Sequence, residues 1–285
     1  MVDLHLHSRH SDGSDAPADI VAAGSALGLR AMALTDHDTV AGVGAFLDAA
    51  RAAGMPATSG VELSTQFEAA ELHLLGYGFR PGDAGLLALL ERGRQGRLRR
   101  NALIAERLRA LGVPVDYAEV EALAGDPETV GRPHFAEAMA RRGYGADAHE
   151  AFSRFLGSNA PAYVPRERIP AEEGIAAIRA AHGVAVWGHP HVGFAYDSIH
   201  RIAAAMRPAG LDGLEAYHSN HSPRKISSVR TLARRAGLLV TGGSDYHGSF
   251  KPYIAIGTGT GTLDVPDGCW DALSALIRAR GGILA

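Results

Sequence analysis

Asp3-Leu4-His5-Leu6-His7-Ser8 places two imidazoles two residues apart inside an apolar run. A strand sends successive side chains to opposite faces, so Asp3, His5 and His7 share one face while Leu4 and Leu6 take the other. One His-x-His occurs often by chance, and a pair of half-exposed surface histidines would account for it equally well. The polar residues that end similar runs elsewhere in the chain decide between the two.

Short apolar or alternating runs recur at 2–6, 31–35, 57–61, 72–77, 184–188, 213–217 and 238–242, each ending in polar residues, and are read as seven strands. Helix-like segments at 16–27, 40–53, 171–182, 198–209 and 223–236 separate most of them. These segments run up to Gly28, Gly54, Gly183, Gly210 and Gly237, a residue type suited to the left-handed position that closes a helix. Strand and helix in alternation call for an α/β fold with parallel strands and right-handed crossovers. His37, Glu62, His189 and Asp245 each follow a different strand, and a barrel gathers such residues at one mouth. Residues 64–71 are too few for a crossover helix, so the run at 72–77 is expected to return antiparallel and to bring His73 beside Glu62. Residues 81–165 carry no strand pattern and are read as a helical insertion between barrel segments 1–80 and 166–285. Its first helix bears Arg92, Arg94, Arg97, Arg99, Arg100, Arg107 and Arg109.

The polar residues form a coherent donor set. Thr35-Asp36-His37-Asp38, Gly60-Val61-Glu62, Glu71-Leu72-His73, Gly188-His189-Pro190-His191 and Ser244-Asp245-Tyr246-His247 all read as strand-end positions. Burying so many ionisable groups without counter-ions would be very costly, whereas divalent cations neutralise carboxylates and accept neutral imidazole as a ligand. Nitrogen and oxygen donors without sulfur suit Mn²⁺, Zn²⁺ or Fe²⁺. The donors exceed one coordination sphere, which implies two or three ions.

Composition narrows the partners. The formal net charge of −3 on 285 residues leaves no overall positive field for long nucleic acid or a membrane surface. Cys269 is the single cysteine, so neither an internal disulfide framework nor a thiolate zinc site is available. No export signal opens the sequence and no apolar run reaches the roughly 20 residues of a membrane span, so a cytoplasmic protein is expected.

Asp-Leu-His-Leu-His-Ser, Ser-Asp-Gly, Thr-Asp-His-Asp, Gly-Val-Glu, His-Leu-Leu-Gly, Gly-His-Pro and Ser-Asp-Tyr-His, in this order, resemble the PHP family of polymerase-associated and histidinol phosphatase domains. The resemblance implies a distorted seven-stranded (β/α)7 barrel. It also implies a first ion on His5, His7, Glu62 and Asp245, and a second on Asp12, His37 and His247. A third would be shared by Glu62 with His73 and His189. Asp3, Asp36 and Asp38 are expected to orient ligand histidines through hydrogen bonds. The insertion, with Gly131-Arg132-Pro133-His134-Phe135 inside it, is similar to that of nucleoside 3′,5′-bisphosphate phosphatases and related short-RNA 5′-nucleases. Proline at 133 departs from that pattern. Arg97 and Arg100, three apart on one helix face, join Arg132 and His134 as expected phosphate contacts. His221, following the run at 213–217, is a candidate substrate contact and leaving-group acid. His191 and His218 carry no assigned chemistry.

The function expected is hydrolysis of a phosphomonoester by a metal-bound hydroxide, which also accounts for the lack of a serine or cysteine nucleophile motif. The 3′-phosphate of a nucleoside 3′,5′-bisphosphate is the leading substrate and Mn²⁺ the leading metal. A 5′-3′ exonuclease on short 5′-phosphorylated RNA, a cyclic-phosphate hydrolase and a histidinol phosphate hydrolase are the alternatives within the class. An amidohydrolase lacks support, because Lys225 and Lys251 are the only lysines and neither follows a predicted strand. A noncatalytic, metal-stabilised polymerase accessory module would be expected to have lost ligands, and the motif set here is full.

Overall fold

Alternating apolar residues become strands here, and the helices between them bury one stripe each against the sheet. The computed structural model describes residues 1–124, 130–165 and 168–285. In chain order the elements of the first unit are β1 (Asp3–Leu6), α1 (Pro17–Ala26), β2 (Met32–Leu34), α2 (Val43–Ala53), β3 (Ala57–Thr58), β4 (Gly60–Phe67) and β5 (Ala70–Tyr77). The helices α3 (Ala84–Ala110), α4 (Tyr117–Ala124), α5 (Arg132–Arg141) and α6 (Ala148–Ala151) follow. The chain then returns through β6 (Ile169–Pro170), α7 (Ala171–Ala180), β7 (Val184–Trp187), α8 (Tyr196–Met206), β8 (Gly213–His218), α9 (Pro223–Ala236), β9 (Leu239–Gly243) and α10 (Asp267–Ala279).

Two compact units result, Met1–Leu90 with Ile169–Ala285, and Glu91–Arg168. The insertion was expected from residue 81, ten residues earlier. The division falls inside α3 because Leu86, Leu89 and Leu90 pack into the core of the first unit, whereas Ile104 and Leu108 belong to that of the second.

In the first unit β1, β2 and β3 form a parallel sheet, and a second sheet has the order β6-β4-β5-β7-β8-β9. β5 runs antiparallel to both neighbours, β4 and β7, while β7, β8 and β9 are parallel. Isolated bridges join Leu6 to Tyr246 and His37 to Glu62, so the two sheets meet at residues that adjoin or belong to the donor set. Leu6, Leu34, Leu63, Leu74 and Trp187 pack against Ile20, Phe46, Ile175, Ile199 and Val229 of the surrounding helices. Leu4, Ala33, Leu75, Tyr77 and Val186 form a second cluster with Trp270, Leu273 and Ile277 of α10. Burying each large side chain contributes about 1.5–3 kcal/mol, which holds the ligand-bearing strand ends in place.

Several local expectations change. Residues 64–71 are not a loop: β4 continues to Phe67 and β5 starts at Ala70, around a tight turn at Glu68. The alternation of Leu63, Thr65 and Phe67 against Leu74, Leu72 and Ala70 sustains the ladder. Glu62 therefore lies within a strand, not after one. Leu4 and Leu6 do not share a face, because the β1/β2 ladder slips by one residue between Asp3 and Leu6. The left-handed residue closing α7 is His182 (φ 68°) and not Gly183, whereas Gly54 and Gly237 take the expected role. Ile169–Pro170 and α10 were not foreseen.

Candidate metal centre

Glu62 is buried in β4, and five imidazoles surround its carboxylate. His73 Nδ1 and His189 Nε2 approach Oε1 at 2.6 and 2.9 Å. His5 Nε2, His7 Nε2 and His37 Nδ1 approach Oε2 at 3.0, 3.1 and 3.4 Å. Asp245 Oδ1 lies 3.3 Å from His7 Nε2 and 3.7 Å from His5 Nε2. Asp12, half-exposed, has Oδ1 3.2 Å from His247 Nε2 and 3.6 Å from His7 Nδ1, and Oδ2 3.8 Å from His37 Nε2.

Among the described residues four groups of donor atoms, each within 4.8 Å of one another, emerge: His5, His7, Glu62 and Asp245; His7, Asp12, His37 and His247; His37, Glu62 and His73; and His5, Glu215 and His218. Eight of the nine residues expected to hold metal fall in these groups. The grouping differs from the expected partition in that His7 reaches the second group and His37 the third. His189 reaches the cluster through its contact with Glu62.

A carboxylate has about four lone-pair directions, so it cannot satisfy five ring nitrogens. Both nitrogens of His7, His37 Nδ1 and His247 Nε2 are buried without a hydrogen-bond partner. Each unsatisfied group of this kind costs about 1–3 kcal/mol. Converging, unpartnered imidazoles facing carboxylates fit divalent cations between them, in the nitrogen and oxygen environment that Mn²⁺, Zn²⁺ and Fe²⁺ accept.

Electrostatics agree. Burial would raise Glu62, but His37, His5 and His73 hold it well below the usual carboxylate range, and His218 and His7 do the same for Asp245. Burial opposes charge on His7 and His73, yet the nearby Asp245 and Glu62 carboxylates lift His7 to about 9, and Glu62 lifts His73 to about 10. His37 goes the other way, with burial pushing it down to about 4 against the pull of Glu62 and Asp12.

The backbone is strained where ligands leave the sheet. Asp38, His189 and Asp245 have φ of 54°, 28° and 60°, a region unfavourable for residues with a Cβ. Hydrogen bonds hold all three turns: Asp38 N–H donates to the Glu62 carbonyl at 2.8 Å, His189 N–H to Glu215 Oε2 at 2.7 Å, and Asp245 N–H to the His5 carbonyl at 2.9 Å.

Sequence reasoning missed Glu215, His218 and Lys251. Glu215 Oε1 lies 2.9 Å from His5 Nδ1, His218 Nε2 lies 3.6 Å from Asp245 Oδ2, and Lys251 Nζ lies 3.1 Å from the same oxygen. Strict alternation separates residues 215 and 218. The β8/β9 register shifts between Glu215 and Tyr217, so three steps on β8 match two on β9, and both side chains reach His5. A carboxylate in the middle of an apolar run was the available signal.

The aspartates expected to orient histidines take backbone and hydroxyl donors around the ligands, and Asp3 accepts the His5 N–H at 3.3 Å. Asp36 accepts from Ser8 N–H, Ser8 Oγ and Ser11 Oγ at 2.6–2.7 Å, Asp38 from Ser64 N–H and Oγ, and Asp3 from Ser244 and Gly257 N–H. His221 Nδ1 donates to the Ala216 carbonyl at 2.9 Å, its Nε2 is buried without a partner, and burial pushes its pKa down to about 4. A neutral imidazole with Nδ1 protonated offers Nε2 as an acceptor.

Arg97, Arg100, Arg132 and His134 belong to the second unit. Arg100 donates to the Asn101 side chain, and Asn101 in turn donates to the Val130 carbonyl. Arg132 donates to the Leu156 carbonyl at 3.1 Å and lies over the rings of Phe152 and Tyr163 at 5.3 and 5.4 Å. His134 Nδ1 accepts from Gly131 N–H at the start of α5. Among the described residues, no helix is long and apolar enough to cross a membrane.

Residues 3–127 match the model of the PHP domain. Over 283 residues the chain is 31% identical to the 3′,5′-nucleoside bisphosphate phosphatase of Chromobacterium violaceum, covering 97% of both chains. The chain belongs to the PHP family. It is also similar to the 5′-3′ exoribonuclease of Haemophilus influenzae, at 31% identity over 246 residues, 86% of this chain and 89% of that one. A solved structure from Bifidobacterium adolescentis, assigned as a metal-dependent phosphoesterase, superposes with a TM-score of 0.80 at 32% identity over 96% and 95% of the two chains.

Proposed function

We propose that this PHP chain hydrolyses phosphomonoesters, with the 3′-phosphate of nucleoside 3′,5′-bisphosphates as its substrate, and that it works with two or three divalent ions, Mn²⁺ foremost. The observation that carries the reading is the ring of five imidazoles on Glu62, with Asp12 and Asp245 beside it and several ring nitrogens left unpartnered. Similarity over the full length to a bisphosphate phosphatase supports the substrate.

Divalent ions in such a centre supply Lewis acidity, which acidifies water and offsets charge on phosphoryl oxygens. His5, His7, Glu62 and Asp245 would hold one, and His7, Asp12, His37 and His247 another. Glu62, His73 and His189 would serve a third, with His37 at its edge. Glu62 keeps the groups at fixed separation because it is buried within a hydrogen-bonded strand. His221 presents an unprotonated Nε2 that accepts a hydrogen bond from a substrate hydroxyl. Arg132, held by the Leu156 carbonyl and two rings, offers a preordered guanidinium for the phosphate that is not cleaved, with Arg97, Arg100 and His134 as companions. The bridges Leu6 to Tyr246 and His37 to Glu62 support closure of the first unit's two sheets into a distorted barrel of the PHP type.

Phosphate release from a nucleoside 3′,5′-bisphosphate, the matching 3′- and 5′-monophosphates, a short 5′-phosphorylated RNA, a cyclic phosphate and histidinol phosphate, with metal content measured on the same sample, tests the reading. The bisphosphate should be turned over fastest by the Mn²⁺-loaded protein. Faster stepwise release of mononucleotides from the RNA would favour exonuclease activity, a second reading motivated by the similarity to the Haemophilus influenzae enzyme.

A further inference from the structure

We propose that Glu215 is the positioning residue of the metal centre, a single carboxylate that fixes the ring of His5 with one oxygen and the backbone of His189 with the other. The proposal rests on the metal reading above and adds a residue outside the donor set that the motifs name.

Glu215 is fully buried in β8, and its two oxygens have separate tasks. Oε1 lies 2.9 Å from His5 Nδ1, and Oε2 accepts the His189 N–H at 2.7 Å. With Nδ1–H directed at Glu215, His5 presents the Nε2 lone pair toward Glu62 and Asp245, 3.0 and 3.7 Å away. A histidine free to flip or to change tautomer would present either nitrogen, and an outer carboxylate removes that choice. The second contact acts on the main chain. His189 has φ of 28°, an uncommon conformation for a residue with a Cβ, and its N–H bond to Glu215 helps to hold the turn that aims Nε2 at Glu62, 2.9 Å away. Residues 184 positions apart in sequence are thereby set in register by one side chain, and His5 and His189 rings stack at 5.8 Å between centroids. The β8 irregularity after Glu215 also brings His218 to within 3.6 Å of Asp245 Oδ2, so the same strand supports a third member of the cluster.

Glu215→Gln provides the sharpest test. Two donors, His5 Nδ1–H and His189 N–H, require two acceptors, and an amide has one acceptor oxygen and an NH₂ group that must face the other donor. Glu215→Asp retains both oxygens but is one methylene short of spanning the two contacts. Isothermal titration of the chelator-treated full chain with Mn²⁺ should show affinity weakened about ten- to hundredfold in both variants. Nitrogen-15 NMR of the Zn²⁺-loaded wild type should show His5 bound through Nε2, with a Nδ1–H proton shifted downfield by the carboxylate. That signal should move or vanish in Glu215→Gln, a change that a general loss of packing would not produce selectively. Wild-type Mn²⁺ affinity in a folded Glu215→Gln protein would overturn the proposal and leave the metal reading standing. So would a wild-type His5 that binds Zn²⁺ through Nδ1, a measurement that needs no variant. Failure of the wild type to take up either ion would overturn the metal reading itself and the proposal with it.

Discussion

Gly243→Ala should disable the metal centre without touching a ligand. Gly243 lies in β9 against β1, and a Cβ there would stand 2.3 Å from the His5 nitrogen, 2.4 Å from His5 Cβ and 2.8 Å from Asp3 Oδ1. Ordinary carbon contacts begin near 3.5 Å, so the two strands must part by roughly 1 Å. The two nearest obstacles, the His5 nitrogen and Cβ, are atoms that no rotamer change can move. Overpacking of this kind costs about 1–3 kcal/mol, and each kcal/mol lowers Tm by about 2–4 °C in a chain of this size class. The effect on the ions should exceed the effect on the fold, because ligand distances tolerate only about 0.2 Å and His5 would move several times that far. Differential scanning calorimetry of the chelated protein and Mn²⁺ titration measure the two halves. Gly44→Ala is the matched control, since a Cβ at Gly44 in α2 meets nothing within 4 Å, and it should leave affinity unchanged while stabilising slightly. A Gly243→Ala protein with wild-type Tm and Mn²⁺ affinity would refute the claim that β1 and β9 are locked together at His5.

Asp245→Ala and His37→Ala should each abolish phosphate release while circular dichroism stays native, because the hydrophobic clusters do not include them; near-native turnover in either would remove that residue from the site. In chelated protein, His7 and His73 have pKa values of about 9 and 10 against 6.5 when unfolded, so their pairing contributes fully below pH 6.5 and is lost as pH rises through 9 to 10. His37, at about 4, has the opposite sign: its contribution is present above pH 6.5 and is lost as pH falls through 4. Mn²⁺ must displace the protons on His7 and His73, so its affinity should rise from pH 6.5 to 9 with measurable proton release in calorimetry across buffers of different ionisation enthalpy; flat affinity over that window would contradict the assignment. Arg132→Ala should lower kcat/KM for a nucleoside 3′,5′-bisphosphate about ten- to a hundredfold, the loss of one charge-assisted contact, and affect a monophosphate far less. Equal losses on both substrates would make Arg132 part of the scaffold of its own unit.

Residue type and period carried much of this protein in the sequence. His-x-His at His5 and His7, with His37, Glu62, His73, His189, Asp245 and His247 after or within apolar runs, was legible because strand alternation and polar interruptions are local properties. The α/β alternation, the antiparallel return at β5 and the helical insertion came from the same signals. Tertiary structure decided the rest, where backbone irregularity or long-range contact overrides period. The slip in β1 separates Leu4 from Leu6, and the extra residue in β8 brings Glu215 and His218 to His5. Lys251, six residues beyond Asp245 in a segment without strand pattern, reaches that carboxylate only because the chain turns back on itself. Asp3, Asp36 and Asp38 were expected to orient histidines, and after folding they take nearby amides and hydroxyls, the His5 N–H at Asp3 among them. Sequence determines which donors exist and roughly where strands deliver them; only the folded chain determines which nitrogen of each imidazole faces the centre, because that depends on what holds the other nitrogen.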